Sequence, residues 1–190
     1  MSETHAIPQT IFKVRDGTVD GGWKDSGPAE LWDGKKVLVF GLPGAFTPTC
    51  TTKQLPGFDE EFDAIKALGF DDIYCVSVND SFVMNAWAQE LNLSNVKLIP
   101  DGTGDFTRQM GMLVKKDNLG FGYRSWRYCM VVDNGVVTDI WEETGKMDNC
   151  PDDPYEVTTP YNIIDELSES KHNVNLEWSG QGSLEEGVPA

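Results

Sequence analysis

Short unbroken apolar runs recur along the chain and are separated by segments with a different pattern. A strand with one solvated face alternates apolar and polar residues, so unbroken runs indicate strands that are buried on both faces of a sheet. Three such runs predict strands at Val37–Gly41, Ile73–Val78 and Val96–Ile99. Tyr128–Val132 and Val136–Trp141 flank Asp133-Asn134-Gly135, and an Asn-Gly centre predicts a hairpin.

Between these strands, apolar residues recur with the three- and four-residue spacing of amphipathic helices. The first helix follows the Val37–Gly41 strand and is expected to be interrupted at Pro56-Gly57. Further helices are predicted at Phe82–Leu91, at Phe106–Met110 and from Pro160 onward. Near the N-terminus, Thr10–Val14 and Thr18-Val19 are expected to pair as an opening hairpin.

Strands that alternate with helices, followed by a hairpin and a closing helix, predict an α/β fold with a mixed central β-sheet flanked by helices. The thioredoxin-like fold has this arrangement. A chain of 190 residues is long enough for one domain with a sizeable core. We expect residues 1–170 to form that domain, and residues 171–190, which are rich in Gly, Ser and Glu, to form an extended C-terminal extension.

The net charge of −16 disfavours nucleic acid and anionic membrane surfaces as partners, because both are bound through Lys and Arg. No apolar run reaches the length that a membrane span needs. The first ten residues lack the basic and apolar regions of a secretory signal. These features together predict a cytoplasmic protein.

The cysteines are widely spaced and form no C-x-x-C pair: Cys50, Cys75, Cys129 and Cys150. Zinc sites usually contain closely spaced ligand pairs, so a metal site is disfavoured. A reducing cytosol also disfavours a framework of structural disulfides. His5 and His172 lie in terminal segments that are expected to be mobile, so neither is placed to activate a cysteine as in a Cys–His hydrolase. One or two of the thiols are therefore candidates for reactivity without a metal or cofactor.

The segment GLPGAFTPTC, residues 41–50, places one of these thiols after a buried strand. Thr47 is suited to cap a helix whose first residue is Pro48, so that Cys50 falls in the first turn. Unpaired N–H groups and the positive end of the helix dipole stabilise a thiolate there, and the thiolate is the nucleophilic form. The alternative is a simple helix cap with a half-buried cysteine. Four glycines and prolines constrain the loop more tightly than capping requires, which favours the reactive interpretation.

The sequence PGAFTPTC resembles the active-site segment of peroxiredoxins, P-x-x-x-T-x-x-C, in the form typical of the Prx5 (type II) subfamily. Residues 74–80, 83–87 and 101–104 are similar to other segments of that subfamily. The resemblance extends roughly from Ile7 to Leu167. It implies a thiol peroxidase that uses no cofactor and reduces hydrogen peroxide and small alkyl hydroperoxides. It also implies a homodimer.

The resemblance implies a role for each matching residue. Cys50 would attack the peroxide O–O bond and become a sulfenic acid. Thr47 would hydrogen-bond the thiolate and the peroxide, and Pro43 would form one wall of the pocket. Arg127, which directly precedes the apolar strand, would stabilise the thiolate and the leaving oxygen, a task suited to a permanently charged guanidinium. For Arg124 a surface salt bridge is the favoured interpretation.

Turnover requires a reductant for the sulfenic acid, which is either a resolving cysteine or an external thiol. Cys150 lies in a polar loop that is expected to be exposed, in the region where some members carry a resolving cysteine. Cys75 matches a second cysteine of plant-type members, although its apolar strand favours a small buried core residue without a redox role. Cys129 is also expected to be a small core residue. If neither Cys75 nor Cys150 serves, then glutathione with glutaredoxin, or thioredoxin, would reduce Cys50.

Two other functions are consistent with the sequence. A peroxide-responsive redox sensor or relay would oxidise Cys50 quickly and pass the oxidation to a partner protein. A thioredoxin-fold binding module would need no reactive thiol, and the constrained loop before Cys50 disfavours it.

Overall fold

The structure, a computed structural model, describes residues 4–179, with side chains for residues 4–170. Its strands are β1 (His5–Ala6), β2 (Phe12–Arg15), β3 (Trp23–Ser26), β4 (Lys36–Gly41), β5 (Asp72–Ser77), β6 (Lys97–Pro100), β7 (Leu113–Lys115), β8 (Tyr123–Ser125), β9 (Tyr128–Asp133) and β10 (Val136–Glu142). Its α-helices are α1 (Pro28–Leu31), α2 (Leu55–Glu60), α3 (Phe62–Ala67), α4 (Ser81–Glu90), α5 (Asp105–Gln109) and α6 (Pro160–Ser179). Shorter helical turns lie at Asp20–Gly22, Cys50–Gln54 and Asp117–Leu119.

Six strands form a mixed sheet in the order β1-β10-β9-β4-β5-β6. Strands β4, β5 and β6 are parallel, whereas β9 is antiparallel to β4 and β10 is antiparallel to both of its neighbours. Two small hairpins, β2–β3 and β7–β8, lie outside this sheet. The predicted α/β fold with a mixed central sheet is confirmed.

The core lies on both faces of the sheet, because β4 is buried on both sides. Val37 and Val39 face one group of buried side chains, which we call the Trp32 cluster. Leu38 and Phe40 face the other group, which we call the Phe40 cluster. In the Phe40 cluster, the rings of Phe40 and Phe58 stack with their centroids 4.2 Å apart. An unbroken apolar run is therefore required at β4, as the sequence pattern indicates.

The hairpin between β9 and β10 turns at the Asn-Gly pair, as predicted. Asn134 and Gly135 both have positive φ angles, 46° and 77°. Two consecutive left-handed residues produce the turn whose twist matches that of the flanking strands. This hairpin places β9 beside β4 in the middle of the sheet.

At Pro56-Gly57, where the sequence predicts an interruption, the helix changes type and does not stop, because the π-helical turn Cys50–Gln54 passes into α2 at Leu55 while the backbone stays helical. Pro56 lies in the first turn of α2, directly after the π-helical turn, and proline has no N–H to continue the regular helical hydrogen bonds. The break comes at Glu61, whose backbone (φ −86°, ψ 10°) leaves the helical range and separates α2 from α3.

The N-terminal predictions were partly wrong. β2 pairs with β3 and not with Thr18-Val19, because the intervening loop contains two left-handed glycines, Gly21 and Gly22, and closes later in the sequence. His5 belongs to β1, paired with Val137 at the edge of the sheet. The mobility of the terminal segments stays a prediction, and the side chain of His172 lies outside the described residues.

The last helix, α6, begins at Pro160 as predicted, with the Thr159 hydroxyl accepting from the N–H of Asn162 (3.3 Å). It continues to Ser179, nine residues into the segment that was expected to be extended. Residues 180–190 lie outside the described residues, so the division into a domain and an extension stays a prediction. No helix in the described part of the chain is both long and apolar enough to cross a membrane.

Candidate active site

The loop that carries Cys50 is anchored at the carboxyl ends of two parallel strands. Gly41 ends β4 against the ring of Tyr128, which would lie 2.2 Å from a Cβ atom at this position, so only glycine fits. Ala45 donates its N–H to the side-chain oxygen of Asn79 in the loop after β5 (2.9 Å). The two loops are therefore held together at one edge of the sheet.

The helical segment begins at Pro48, directly after Thr47, as predicted. Thr51 donates its N–H to the C=O of Thr47 (3.0 Å) and closes the first turn. Cys50 opens a π-helical turn, Cys50–Gln54, and its side chain is 1% exposed. The sulfur thus lies in the first helical turn, where unpaired N–H groups and the helix dipole stabilise an anion.

Thr47 fixes the turn before Cys50. Its hydroxyl donates to the C=O of Gly44 (2.6 Å) and not to the sulfur, which is where the resemblance implied a hydrogen bond. Because the hydroxyl proton is committed to Gly44, the oxygen lone pairs can accept a hydrogen bond from a bound peroxide. The role of Thr47 in the reaction stays a prediction.

Arg127 and Cys50, which are distant in sequence, are in contact. The register of β9 on β4 places Tyr128 opposite Gly41, so the preceding Arg127 lies beside the loop after β4. Its Nη1 donates to the Cys50 sulfur at 3.5 Å and also to the side-chain oxygen of Gln54. Arg127 as a whole is 1% exposed. The geometry therefore provides the cation beside the sulfur that the resemblance implied.

The remaining donors of Arg127 are held by the segment before α6. Nη2 forms an ion pair with Asp153 (2.5 Å), and Nε donates to the C=O of Pro154 (3.1 Å). Burial acts to lower the pKa of Arg127, but the Cys50 thiolate and the Asp153 carboxylate outweigh it and raise that pKa. Arg127 therefore stays charged while it is buried against the sulfur.

Gln54 is a site residue that the sequence analysis did not identify. It is fully buried, it accepts from Arg127 through Oε1, and its Nε2 has no partner among the described residues. The feature of the sequence that could have identified Gln54 is a polar residue four positions after Cys50, on the buried side of a helix. The sequence alone does not show that an arginine approaches it.

Arg124 is not in a surface salt bridge, so the favoured interpretation was wrong. It is half-buried, and it donates to the C=O groups of Phe121 (3.3 Å) and Pro43 (3.4 Å). Its guanidinium also lies over the ring of Phe121, 5.3 Å from the centroid. Pro43, the predicted pocket wall, is buried and lines a narrow crevice beside Arg127.

The other cysteines lie in apolar surroundings, and all four thiols are free. Cys75 and Cys129 are fully buried in the Phe40 cluster, where burial raises the pKa of each thiol well above its usual value. Cys150 is 7% exposed and packs in the Trp32 cluster. The expectation that Cys150 is exposed was therefore wrong, because the loop around it folds inward.

Comparison with known proteins identifies relatives over most of the chain. The model of the Redoxin family matches residues 13–155, more than half of the chain. A peroxiredoxin of Rhizobium etli is 54% identical over 170 residues, which cover 86% of this chain and 95% of that protein. The hybrid peroxiredoxin hyPrx5 of Haemophilus influenzae is 50% identical over 156 residues, 82% of this chain and 62% of that protein.

A solved structure supports the same conclusion. The crystal structure of the Plasmodium falciparum antioxidant protein, a 1-Cys peroxiredoxin, matches with a TM-score of 0.82 at 38% identity. The match covers 89% of this chain and 99% of that one. Together with the relatives in sequence, it shows that this chain belongs to the redoxin family and is a peroxiredoxin of the Prx5 type, a thiol peroxidase.

Proposed function

We propose that this peroxiredoxin reduces hydrogen peroxide and small alkyl hydroperoxides at Cys50, and that an external thiol regenerates it. The contact between the Arg127 guanidinium and the Cys50 sulfur, at 3.5 Å, carries this proposal. A buried cation beside a thiol favours the thiolate, which is the form that attacks peroxide.

In the first step, the Cys50 thiolate attacks one peroxide oxygen, so that an S–O bond forms and the O–O bond breaks. Cys50 becomes a sulfenic acid, and the departing alkoxide or hydroxide takes a proton to become an alcohol or water. Arg127 stabilises the negative charge that develops on the leaving oxygen. Thr47 accepts a hydrogen bond from the peroxide, and Pro43 limits the access of water.

In the second step, an external thiol and not a resolving cysteine attacks the sulfenic acid. Cys75 is held in the middle of β5, and Cys150 is buried in the cluster on the opposite face of the sheet. Cys75 shares the Phe40 cluster with Cys50, but the pairing of β5 with both of its neighbours fixes its backbone, so a disulfide to either cysteine would require local unfolding. One thiol therefore forms a mixed disulfide with Cys50 and releases water, and a second thiol then releases Cys50 and a disulfide product. Glutathione with glutaredoxin, or thioredoxin, supplies these thiols.

The test treats the fully reduced protein with one equivalent of hydrogen peroxide and follows the oxidation of Cys50 by stopped-flow fluorescence and mass spectrometry. We expect oxidation far faster than that of a free thiol, a sulfenic acid at Cys50, and no disulfide to Cys75 or Cys150. Oxidation no faster than that of a free thiol would contradict the proposal. A fast first step without turnover with glutathione and glutaredoxin, or with thioredoxin, would instead indicate the sensor alternative.

We also propose that the active form is a homodimer that buries the surface beside the Cys50 loop. Phe46 lies on the loop that follows β4 and is 51% exposed, and Phe82 lies in the first turn of α4 and is 60% exposed. Phe46 has a φ of 63°, a costly conformation for a bulky residue that directs an aromatic ring outward. Phe46→Glu and Phe82→Glu should shift sedimentation toward the monomer, whereas Tyr161→Glu, on an exposed tyrosine of α6, should not. An unchanged sedimentation coefficient in both phenylalanine variants would contradict this surface.

We further propose that the protein acts in the cytoplasm. Its four free cysteines and its need for thiol reductants suit a reducing compartment. Cell fractionation with an antibody against the chain tests this, and recovery only in a secreted or membrane fraction would contradict it.

A further inference from the structure

Two arginines flank the Cys50 loop, and their donors are engaged to different extents. Every nitrogen of the Arg127 guanidinium is hydrogen-bonded within the protein. Arg124 uses Nε and Nη1 for two backbone C=O groups, those of Phe121 and Pro43. No described residue accepts from its Nη2. Arg124 thus keeps donors available beside the active site.

Arg124 also lacks a carboxylate partner in a strongly acidic protein. The chain has 31 Asp and Glu residues against 15 Lys and Arg residues. Among the described residues, the carboxylates that form ion pairs pair with other cations and none pairs with Arg124. The anion that acts on Arg124 is the Cys50 thiolate, which partly offsets the lowering of the Arg124 pKa by burial. A half-buried guanidinium without a carboxylate is suited to bind one from solution.

The loop before Cys50 leaves space for this guanidinium. A Cβ atom at Gly44 would lie 2.3 Å from Nη1 of Arg124 and 3.3 Å from Cγ2 of Thr47. Gly44 does not have a positive φ, so the backbone conformation does not require glycine there. The missing side chain at Gly44 instead allows Arg124 to lie against the loop.

Lys116 is a further cation close to the Cys50 loop. Lys116 is 3% exposed and lies over the Trp126 ring, 5.7 Å from the centroid. It lines the narrow crevice that Pro43 and Arg127 also line. Within the described part of the chain, Lys116 forms no ion pair. The Asp153 carboxylate also lines this crevice but is paired with Arg127, so Lys116 is the unpaired charge there. Its positive potential attracts small anions to the neighbourhood of Pro43, whose C=O accepts from Arg124.

We infer that Arg124 binds the carboxylate of a small acidic thiol and directs its sulfur to the oxidised Cys50. This inference rests on the proposed function, because it names the chemical class of the reductant in its second step. The thiol sulfur attacks the Cys50 sulfenic sulfur, an S–S bond forms, the S–O bond breaks, and the hydroxyl leaves as water with the thiol proton. A second thiol reduces the mixed disulfide. Arg124 holds the carboxylate and takes no part in bond breaking.

The test compares two alkylating reagents on reduced Cys50 at one pH. Iodoacetate carries a carboxylate and iodoacetamide does not, while both transfer a carbon to the same thiolate with loss of iodide. The ratio of their rates therefore cancels any change in the reactivity of the thiolate itself. Mass spectrometry identifies the alkylated cysteine, and Cys50→Ser gives the background.

Four variants of the chain sharpen this measurement. In Arg124→Gln we expect the iodoacetate-to-iodoacetamide ratio to fall roughly tenfold, about the effect of losing one charged hydrogen bond. Arg124→Lys should recover part of the ratio. Gly44→Ala should lower it, because the added Cβ displaces the guanidinium. Arg108→Gln, which removes an exposed arginine paired with Asp105, should leave the ratio unchanged. An unchanged ratio in Arg124→Gln would overturn the inference, including the case in which both alkylation rates fall by the same factor.

A second measurement uses the sulfenic acid that peroxide forms on Cys50. Reduction by 3-mercaptopropionate should slow roughly tenfold in Arg124→Gln, while reduction by neutral 2-mercaptoethanol should keep its rate. Equal slowing of both thiols would overturn the inference. If wild-type Cys50 formed no sulfenic acid, the proposed function would fail, and the alkylation ratio would still decide whether Arg124 binds carboxylates.

Discussion

Cys50 and Cys150 are both buried free thiols, 1% and 7% exposed. Their surroundings differ, because one lies beside a cation and the other among apolar side chains. Cys50 lies in the first turn of a helix with a guanidinium 3.5 Å from its sulfur. Cys150 packs in an apolar cluster, and the side chain of Asn118 donates to its backbone C=O (3.3 Å). Burial alone therefore does not separate a reactive cysteine from an inert one, whereas a neighbouring cation does.

The two regions are nevertheless connected. Asp153, three residues after Cys150, forms the ion pair with Arg127, and Pro154 accepts from the same guanidinium. The loop thus contributes a carboxylate and a carbonyl that hold the active-site cation. Its cysteine faces the other side of the sheet.

The largest expected effect is the loss of activity in Cys50→Ser. A hydroxyl at this position is not ionised at neutral pH and cannot replace the thiolate as attacker. Peroxide consumption in the presence of glutathione and glutaredoxin, or of thioredoxin, should fall to the background rate. Circular dichroism should show a folded protein, and residual activity above background would assign the reaction to another cysteine.

Arg127→Gln should lower the rate constant for the reaction of Cys50 with hydrogen peroxide by about 10²- to 10³-fold, because the leaving oxygen loses its charged donor. Stopped-flow fluorescence measures this rate constant. Arg127→Lys, which keeps the charge but loses the fork of donors, should be intermediate. A loss of less than threefold in Arg127→Gln would mean that the helix terminus alone supports the thiolate.

Gln54→Leu should lower the same rate constant by about tenfold, because Arg127 loses an acceptor that fixes its orientation. Gln54→Glu keeps an acceptor but places a carboxylate that competes with the Cys50 thiolate for the same Arg127 nitrogen, so it should lose more of the rate than Gln54→Leu. Equal losses in both variants would show that Gln54 matters for packing and not for the position of Arg127.

The smallest expected effect on activity is that of Cys150→Ser, which should stay within about twofold of wild type, since the proposed route does not use this thiol. The free energy of unfolding should fall by about 1 kcal/mol, because a hydroxyl replaces a thiol in an apolar cluster. Urea denaturation measures the second effect. A large loss of turnover with normal stability would make Cys150 a resolving cysteine and would break the comparison with Cys50.

Local features of the fold were predictable because they depend on residues that are close in sequence. The buried strand β4, the turn at Asn134 and Gly135, and the helix start at Pro48 are each specified by a few neighbouring side chains. The opening hairpin was mispredicted for the same reason. Its partner strand β3 lies beyond the Gly21-Gly22 pair, and the local sequence does not show that the chain turns there and not earlier.

The candidate site was only partly predictable. Cys50, Thr47, Pro43 and Arg127 were recognisable from a motif and from the position of an arginine before a strand. Gln54 and Asp153 were not, because they are defined by contacts with Arg127 across 73 and 26 residues of sequence. Arg124 was assigned to the surface because sequence alone does not show which carbonyls its side chain approaches.

By itself, the sequence determined the order of the central strands β4, β5, β6, β9 and β10, the helices α4 and α5, and the helical turn that presents Cys50, because backbone preferences and apolar periodicity act over a few residues. Only the tertiary structure decided which cation reaches the sulfur, which cysteine faces away from it, and which arginine keeps free donors. Those outcomes depend on the register of β9 against β4 and on the path of the loop before α6. Both are settled by contacts between residues that are far apart in the chain.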